Sequence, residues 1–397
     1  MTTGIIGLRG TGQYNTDFRP TNYREVYTML EPNGTAPLNA LLAMGSSEEV
    51  DDPRFNTFTD ELPDRVVTVN NVGGYNAIAT AIQLAAGSTQ DGYFIQGAIV
   101  VNTRTGEMMQ LTADANTAAD TIAVTRNIGG TAFTINDQDR LMVAGFAAAE
   151  GADAPSPVSF DATLVFNFTQ IFRTSWSLTN TQKSTTFRNG DKEAEYGAKA
   201  LKLHMSDIER AMFWGRRVEL NGTSAQPTRY TGGLMSTLTT VLDGSTASVP
   251  GLITETDFDA FLVNTVFAFG SKEKVAFCGP TVINHLMRIA KDRWQPSQVD
   301  NTYGVSFTRY TTFAGDLVVH LHPQFRQMPN MANAAVLLDF PYLKYRYLKG
   351  RDTQLLQNRQ GTSADRVLHE YLTECGLELL QNKVHTVIRN WNAVVPT

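Results

Sequence analysis

Apolar residues recur at helical spacing over one long stretch, from Gly190 to Leu220. Ala194, Ala198, Leu201, Met205, Ile208 and Met212 step by three and four, which aligns them on one stripe of an amphipathic helix. Asp191 offers an acidic start, Arg216 and Arg217 fall in the last turn, and Asn221-Gly222 ends the run. Roughly 28 residues in this conformation make a rod of about 40 Å, long for a domain of ordinary size. Its other face carries Lys192, Glu193, Glu195, Lys199, Lys202, Glu209 and Arg210, a charge density that excludes a membrane span.

A two-residue period dominates elsewhere. Phe160, Ala162, Leu164, Phe166 and Phe168 alternate with Asp161, Thr163, Asn167 and Thr169, and the phase slips near Gln170-Ile171 before continuing to Trp176. A strand of roughly 15 residues spans about 50 Å, beyond the usual length, and reads as one side of a projecting two-stranded arm. Phe55–Phe58 and Arg65–Asn70 supply the other side. Between them, Gly97–Asn102, Met108–Thr112, Thr121–Arg126 and Leu141–Gly145 alternate with turn chemistry at Arg104-Thr-Gly106, Asn127-Ile-Gly-Gly130 and Asn136-Asp137. Such spacing predicts a small barrel or sandwich over about 75–155.

Beyond the long helix, Thr254-Glu-Thr-Asp opens a helix that buries Phe258, Phe261, Leu262 and Val266. Lys274–Cys278 reads as a buried strand, Gly279-Pro280 starts a second helix to Ala290, and strands follow at Val305–Thr311, Leu317–His322 and Ala334–Phe340. The chain then returns to strands at Tyr342–Lys349, His369–Leu380 and Lys383–Trp391. The first 53 residues are poor in periodic structure apart from one short helix around Pro37, closed by the acidic cluster Glu48, Glu49, Asp51 and Asp52.

Charge sharpens this picture more than composition does. Residues 1–182 hold nine Arg, no Lys and 19 acidic residues, a net of −10, whereas the remainder holds 24 basic and 20 acidic residues, a net of +4. The first lysine is Lys183. Such asymmetry fits halves that meet each other or meet neighbouring copies. A net charge of −6 argues against sequence-independent wrapping of nucleic acid.

Candidate chemistry is sparse. His320-Leu-His322 has the spacing of a strand-borne metal chelate but lacks a neighbouring acidic or imidazole cluster. Cys278 and His285 form a formal nucleophile–base pair, yet Cys278 sits in an apolar strand where a buried thiol is the plainer reading, as it is for Cys375. Gly7-Leu-Arg-Gly10-Thr-Gly12 lacks the Lys-Ser/Thr ending of a phosphate cradle. Basic and aromatic residues interleave at Tyr342–Lys349, which suits either a nucleic-acid face or a half-buried strand. No catalytic, metal or cofactor site is assigned.

The order of parts resembles that of the Hong Kong 97-type major capsid proteins of tailed bacteriophages. So do Thr174-Ser-Trp-Ser-Leu-Thr-Asn-Thr-Gln, His204-Met-Ser-Asp-Ile-Glu-Arg-Ala, Asp292-Arg-Trp, His322-Pro-Gln-Phe and Tyr342-Leu-Lys-Tyr-Arg-Tyr-Leu-Lys. The resemblance implies an α+β fold with an N-terminal arm (1–53) and an E-loop with its β-rich insertion (54–170). It further implies a peripheral domain with the spine helix (171–226), an axial domain (227–341) and the peripheral return strands (342–397). It implies a structural protein rather than an enzyme, one that assembles into hexamers and pentamers of an icosahedral head enclosing double-stranded DNA. Expected partners are portal, scaffolding and decoration proteins, with no membrane, synthesis in the host cytoplasm and residence in the virion capsid.

The spine-helix core is expected at Ala194, Leu201, Met205, Ile208 and Met212. Candidate inter-subunit contacts are Arg104, Glu107, Arg188, Glu193, Lys202, Arg293, Arg346 and Arg351. Some relatives fuse a scaffolding segment ahead of the arm; without one here, a separate scaffolding protein is expected unless processing has already trimmed the chain. Without a lysine before Lys183, cross-linking through an E-loop lysine is not. Two other readings stay open: a β-rich virion decoration or binding protein, which accounts for the insert but not the long helix, and a metal-dependent enzyme using His320 and His322.

Overall fold

The computed structural model describes residues 36–392, apart from 63–64, 88–93, 149, 152–153, 156, 158, 160, 188–189, 224–225, 248, 290–297, 303–304 and 328–329. It divides into two units, Phe58–Leu164 and the combination of Met1–Thr57 with Val165–Thr397. Within the larger unit a five-stranded sheet and a seven-stranded sheet share one core with the long helix, an α+β arrangement.

The long helix runs Lys192–Trp214, about 35 Å at the standard rise. Asp191 caps it, its side chain accepting the Glu193 N–H at 2.8 Å. It ends earlier than its charge pattern predicts. Gly215 donates its N–H to Ala211 O at 2.8 Å, and a Cβ there would lie 2.4 Å from Thr231 O, so the chain turns where only glycine fits. Arg216 and Arg217 lie beyond it, and Asn221-Gly222 instead turns a hairpin between Val218–Leu220 and Thr228–Tyr230.

In the five-stranded sheet, Arg366–Leu379 pairs antiparallel with Gln170–Thr179 on one side and with Leu343–Leu348 and Gln354–Leu356 on the other. Ser47–Val50 adds a parallel edge to Leu343–Leu348. The long alternating strand is broken at the expected phase slip. Thr163–Phe168 pairs with Arg54–Thr59, Gln170–Thr179 pairs with Arg366–Leu379, and between them Thr169 donates its N–H to Pro53 O at 2.8 Å.

The seven-stranded sheet is ordered Val241–Asp243, Thr386–Arg389, Ala335–Leu338, Glu273–Cys278, Asp316–Leu321, Val305–Thr311 and Gln298–Thr302. Alternation sends Ala276 and Cys278 to one face and Phe277 to the other. The first face is covered by Glu255–Phe261, with its Thr254/Asp257 capping box, and by Pro280–Ile289. The second packs on the long helix. Thr386–Arg389, expected among the strands beside the helix, belongs to this sheet, because its Val387 and Ile388 fill both cores.

The smaller unit contains all four strands expected of the insert, joined by Ala81–Gln83 and by Val66–Thr68, a strand expected along the arm beside the long alternating strand that pairs instead with Arg140–Phe146. The order Val66–Thr68, Arg140–Phe146, Ala98–Asn102, Met108–Leu111, Thr121–Thr125, Ala81–Gln83 closes on itself. Asn70 N donates to Gln83 O at 3.1 Å and Ala85 N to Thr68 O at 2.9 Å across a Val69–Leu84 bridge. The result is a small barrel filled by Val67, Val69, Ile82, Leu84, Val100, Met109, Ile122, Val124 and Leu141.

Candidate functional site: the seat of the long helix

The face the helix buries is not the stripe its apolar spacing suggests. Gly197, Ala200, His204, Ile208, Glu209, Met212 and Phe213 are buried, Met205 and Leu201 are half-buried, and Ala194 and Ala198 are exposed. The shift has a local cause. Gly197 lies under the indole of Trp176, where a Cβ would sit 3.3 Å from the ring, so the helix reaches the sheet through a glycine and rotates Ala194 and Ala198 outward. Trp176 stacks in turn on Tyr371 at 5.0 Å.

Three polar contacts fix the helix along its length. In the first turn, Glu193 accepts from His369 Nε2 at 2.9 Å and pairs with Lys183 at 3.0 Å, the lysine holding the carboxyl below its usual range. Midway, His204 bridges Thr174 and Thr373 at 3.0 and 2.7 Å, and burial lowers its proton affinity. Further along, the fully buried Glu209 accepts the backbone N–H groups of Leu38 and Asn39 at 2.9 and 2.7 Å and His322 Nε2 at 2.9 Å. One carboxylate therefore caps the leading helix Pro37–Gly45 and ties it both to the long helix and to His322, the residue that follows the strand Asp316–Leu321. Phe213 completes the seat, edge-on to Phe277, His322 and Phe325.

The sheet face turned away from the helix is a ladder of ion pairs. Glu370, Glu374 and Glu378 share that face of Arg366–Leu379 and pair with Arg173, Arg351 and Arg346 respectively. Arg346 also reaches Glu48 at 2.8 Å, and Lys344 reaches it at 2.7 Å, so the acidic cluster after the leading helix meets the basic strand Leu343–Leu348 within one chain. That pairing resolves the basic–aromatic pattern in favour of a half-buried strand: Leu343 and Tyr345 enter the core while Lys344 and Arg346 face carboxylates.

The other candidate residues fall as follows. Glu107 is buried in a bidentate pair with Arg126 at 2.6 and 2.7 Å inside the barrel. Arg104, half-exposed, pairs with Asp139 at 2.7 Å and holds its carboxyl down to about 2. Lys202 is exposed. Arg188 and Arg293 lie outside the described residues, as does the glycine-rich start of the chain. His320 and His322 do not act together: His322 bonds Glu209, while His320 packs edge-on to Phe277. Burial pushes the Cys278 thiol up to about 12, far from a thiolate nucleophile, and His285 packs against Trp391. Among the described residues no group of three or more His, Cys, Asp or Glu is arranged to hold a metal. No described helix is long and apolar enough to cross a membrane.

The burial of Glu209, which the pattern placed on the charged face, the Trp176 partner of Gly197, a glycine whose place inside the helix suggests close packing or a flexing point, and the glutamate ladder are the features the sequence reading missed. A spacing of four along a strand keeps Glu370, Glu374 and Glu378 on one face, which was visible beforehand; their arginine partners, distant in sequence, were not.

Paired charges, a clamped helix and unreactive buried thiols describe a structural building block, and the class it falls in is that of phage major capsid proteins. The model of the SU10 major capsid protein family matches residues 9–392, and the chain belongs to that family. It is 26% identical over 341 residues to the major capsid protein of Pseudomonas phage PaMx41, covering 83% of this chain and 79% of the relative. Among solved structures it is similar to the capsid subunit of cyanophage A-1(L), at 12% identity, 96% and 100% coverage and a TM-score of 0.48. It is also similar to the capsid of an empty GTA particle, at 11% identity, 94% and 94% coverage and a TM-score of 0.46. The family agrees with the resemblance to Hong Kong 97-type head proteins: the chain is a structural component of the virion capsid and not an enzyme.

Proposed function

We propose that this major capsid protein closes into hexameric and pentameric capsomers that build an icosahedral head around double-stranded DNA. The observation that carries the reading is the joint seating of one helix on two sheets, which makes the larger unit a stiff tile. Heterologous contacts between such tiles close into rings about an axis. On this reading residues 1–53 are the N-terminal arm, 54–170 the E-loop with its barrel, 171–226 and 342–397 the peripheral domain, and 227–341 the axial domain. Strand Thr386–Arg389, paired in the seven-stranded sheet, makes the last boundary an interleaved one.

Glu193, Lys202, Arg346, Arg351 and the exposed part of Arg104 are the charges offered to neighbouring copies, and Arg188 and Arg293 are further candidates named from the sequence alone. Synthesis takes place in the host cytoplasm, and portal, scaffolding and decoration proteins join the shell. Without lysine before Lys183, no lysine of the E-loop can be donated to a covalent cross-link, so the shell is held by non-covalent contacts. Sedimentation and negative-stain microscopy of the purified chain, alone and with the products of neighbouring genes, test the reading. Rings or shells are expected; an inert monomer under every condition overturns it, and a covalent ladder of subunits on a denaturing gel overturns the non-covalent part.

A further inference from the structure

The long helix leaves half of one apolar stripe uncovered. At about 100° per residue, Ala194, Ala198, Leu201, Met205 and Met212 share a sector about 60° wide. The leading helix Pro37–Gly45 covers the C-terminal half, where Leu38 and Leu42 join Ile208 and Met212 in one core and Met205 packs at its edge. Over the N-terminal half the same stripe is bare: Ala194 and Ala198 are exposed and Leu201 is half-buried. From Met205 to Ala194 the bare run measures about 16 Å at the standard rise.

The two halves meet where the leading helix begins. Leu38 and Asn39 donate their N–H groups to Glu209, and Asn39 Nδ2 donates to Met205 Sδ at 3.2 Å, so the described residues start beside Met205. Asn39 is only 5% exposed, yet its Oδ1 accepts no hydrogen bond among the described residues. A buried oxygen so placed calls for a donor, and the open end of the stripe is where one can enter.

Residues 1–35 lie outside the described residues, and their sequence supplies an occupant. Tyr23, Val26, Tyr27 and Leu30 have the spacing that puts four apolar side chains on one face of a helix. Pro32-Asn-Gly34 then provides turn chemistry ahead of Pro37. Ten helical residues, 21–30, measure about 15 Å, the length of the bare run. Five more, 31–35, reach at most about 17 Å, enough to turn back from Ala36 onto it. Two tyrosines set against two alanines also match in bulk. A short tether holds this segment at an effective concentration of about 1 mM or more, which favours it over the same segment of a free second copy.

We infer that residues 21–31 of the same chain fold back over Ala194–Met205, Leu30 nearest Met205 and Tyr23 nearest Ala194, and bring a donor to Asn39 Oδ1. The root of the N-terminal arm is then seated on its own long helix, and residues 1–20 are the reach left for other molecules. The inference concerns a single copy and does not rest on how copies assemble.

The test uses the full-length chain. Ala198→Cys adds a thiol at an exposed position, the native Cys278 and Cys375 being buried. Its reaction with a maleimide is slow, and becomes at least about tenfold faster when Tyr23→Ser and Tyr27→Ser are added, while circular dichroism stays that of wild type. In a second arm, a benzophenone side chain at position 27 of the otherwise wild-type chain cross-links to the stretch 193–205, and the product runs as a monomer on a denaturing gel. Equal maleimide rates with and without the tyrosines, or a cross-link outside the long helix, overturn the seat. A cross-linked dimer assigns the stripe to the segment of a second copy and overturns the fold-back. Each of these results leaves the assembly reading untouched.

Discussion

Removing the Glu209 carboxylate should release the leading helix without unfolding the rest of the chain. In Glu209→Leu three buried donors lose their acceptor: Leu38 N–H, Asn39 N–H and His322 Nε2. Each orphaned donor costs about 1–3 kcal/mol, partly offset because a buried charge no longer has to be desolvated. A net loss of about 3–4 kcal/mol follows. Against it stand Leu38 and Leu42, both fully buried, which together contribute about 3–6 kcal/mol. The helix Pro37–Gly45 therefore stays folded against the core but opens several hundredfold more often, at about 1.4 kcal/mol per factor of ten. Glu209→Gln keeps one oxygen acceptor and loses about half as much. Hydrogen exchange resolved by peptide reads the effect. Protection should fall across 38–46 in the order wild type, Gln, Leu, while barrel peptides remain unchanged. Equal protection of 38–46 in all three proteins would refute the assignment of Glu209 as the anchor.

The remaining expectations concern the core and pH. Ile208→Asp, at a fully buried site, should cost more than about 4 kcal/mol and leave no folded protein by circular dichroism, whereas the exposed Lys202→Glu should stay within about 0.5 kcal/mol of wild type. Gly197→Val, pressed against Trp176, should destabilise by about 2 kcal/mol in urea titrations. Burial lowers His385 from 6.5 to about 4, and the Asp339 N–H lies on its Nδ1 at 3.2 Å, so the folded state holds it neutral. Its contribution is complete above pH 6.5 and is lost as pH falls towards 4, about 3 kcal/mol in all, and His385→Asn should flatten that part of the stability profile. Asp139, held down from 3.8 to about 2 by Arg104, contributes, after solvent screening of the half-exposed arginine, about 1 kcal/mol above pH 3.8 that disappears as pH falls towards 2. Barrel amides in Asp139→Asn should lack this acid-dependent loss of protection.

Period alone located most elements because burial on one face leaves a repeat in the sequence. Val305–Thr311 is found at its expected bounds, the four insert strands lie within a residue or two of theirs, and Phe258, Phe261, Leu262 and Val266 are buried as their spacing requires. The slip near Gln170 also survived as a real break between two strands with different partners. What period could not reveal was which face of an amphipathic element finds a partner. The helix pattern is apolar enough through Ala194 and Ala198 to suggest one stripe, but alanine is weakly committed to burial. A glycine under an indole and two acidic side chains with imidazole partners turned the helix the other way.

The chain by itself determined the helix start at Asp191, the alternating strands, the barrel's inner residues and the uneven distribution of charge. These follow from local chemistry: caps, turns and side-chain periodicity act over a few residues. Tertiary structure alone decided that Glu209 caps a helix some 170 residues away and that Glu48 belongs to Lys344 and Arg346. It also decided that Thr386–Arg389 joins the seven-stranded sheet. A carboxylate carries no record in its neighbours of which distant donor will meet it; that is settled only when packing brings the two together out of water.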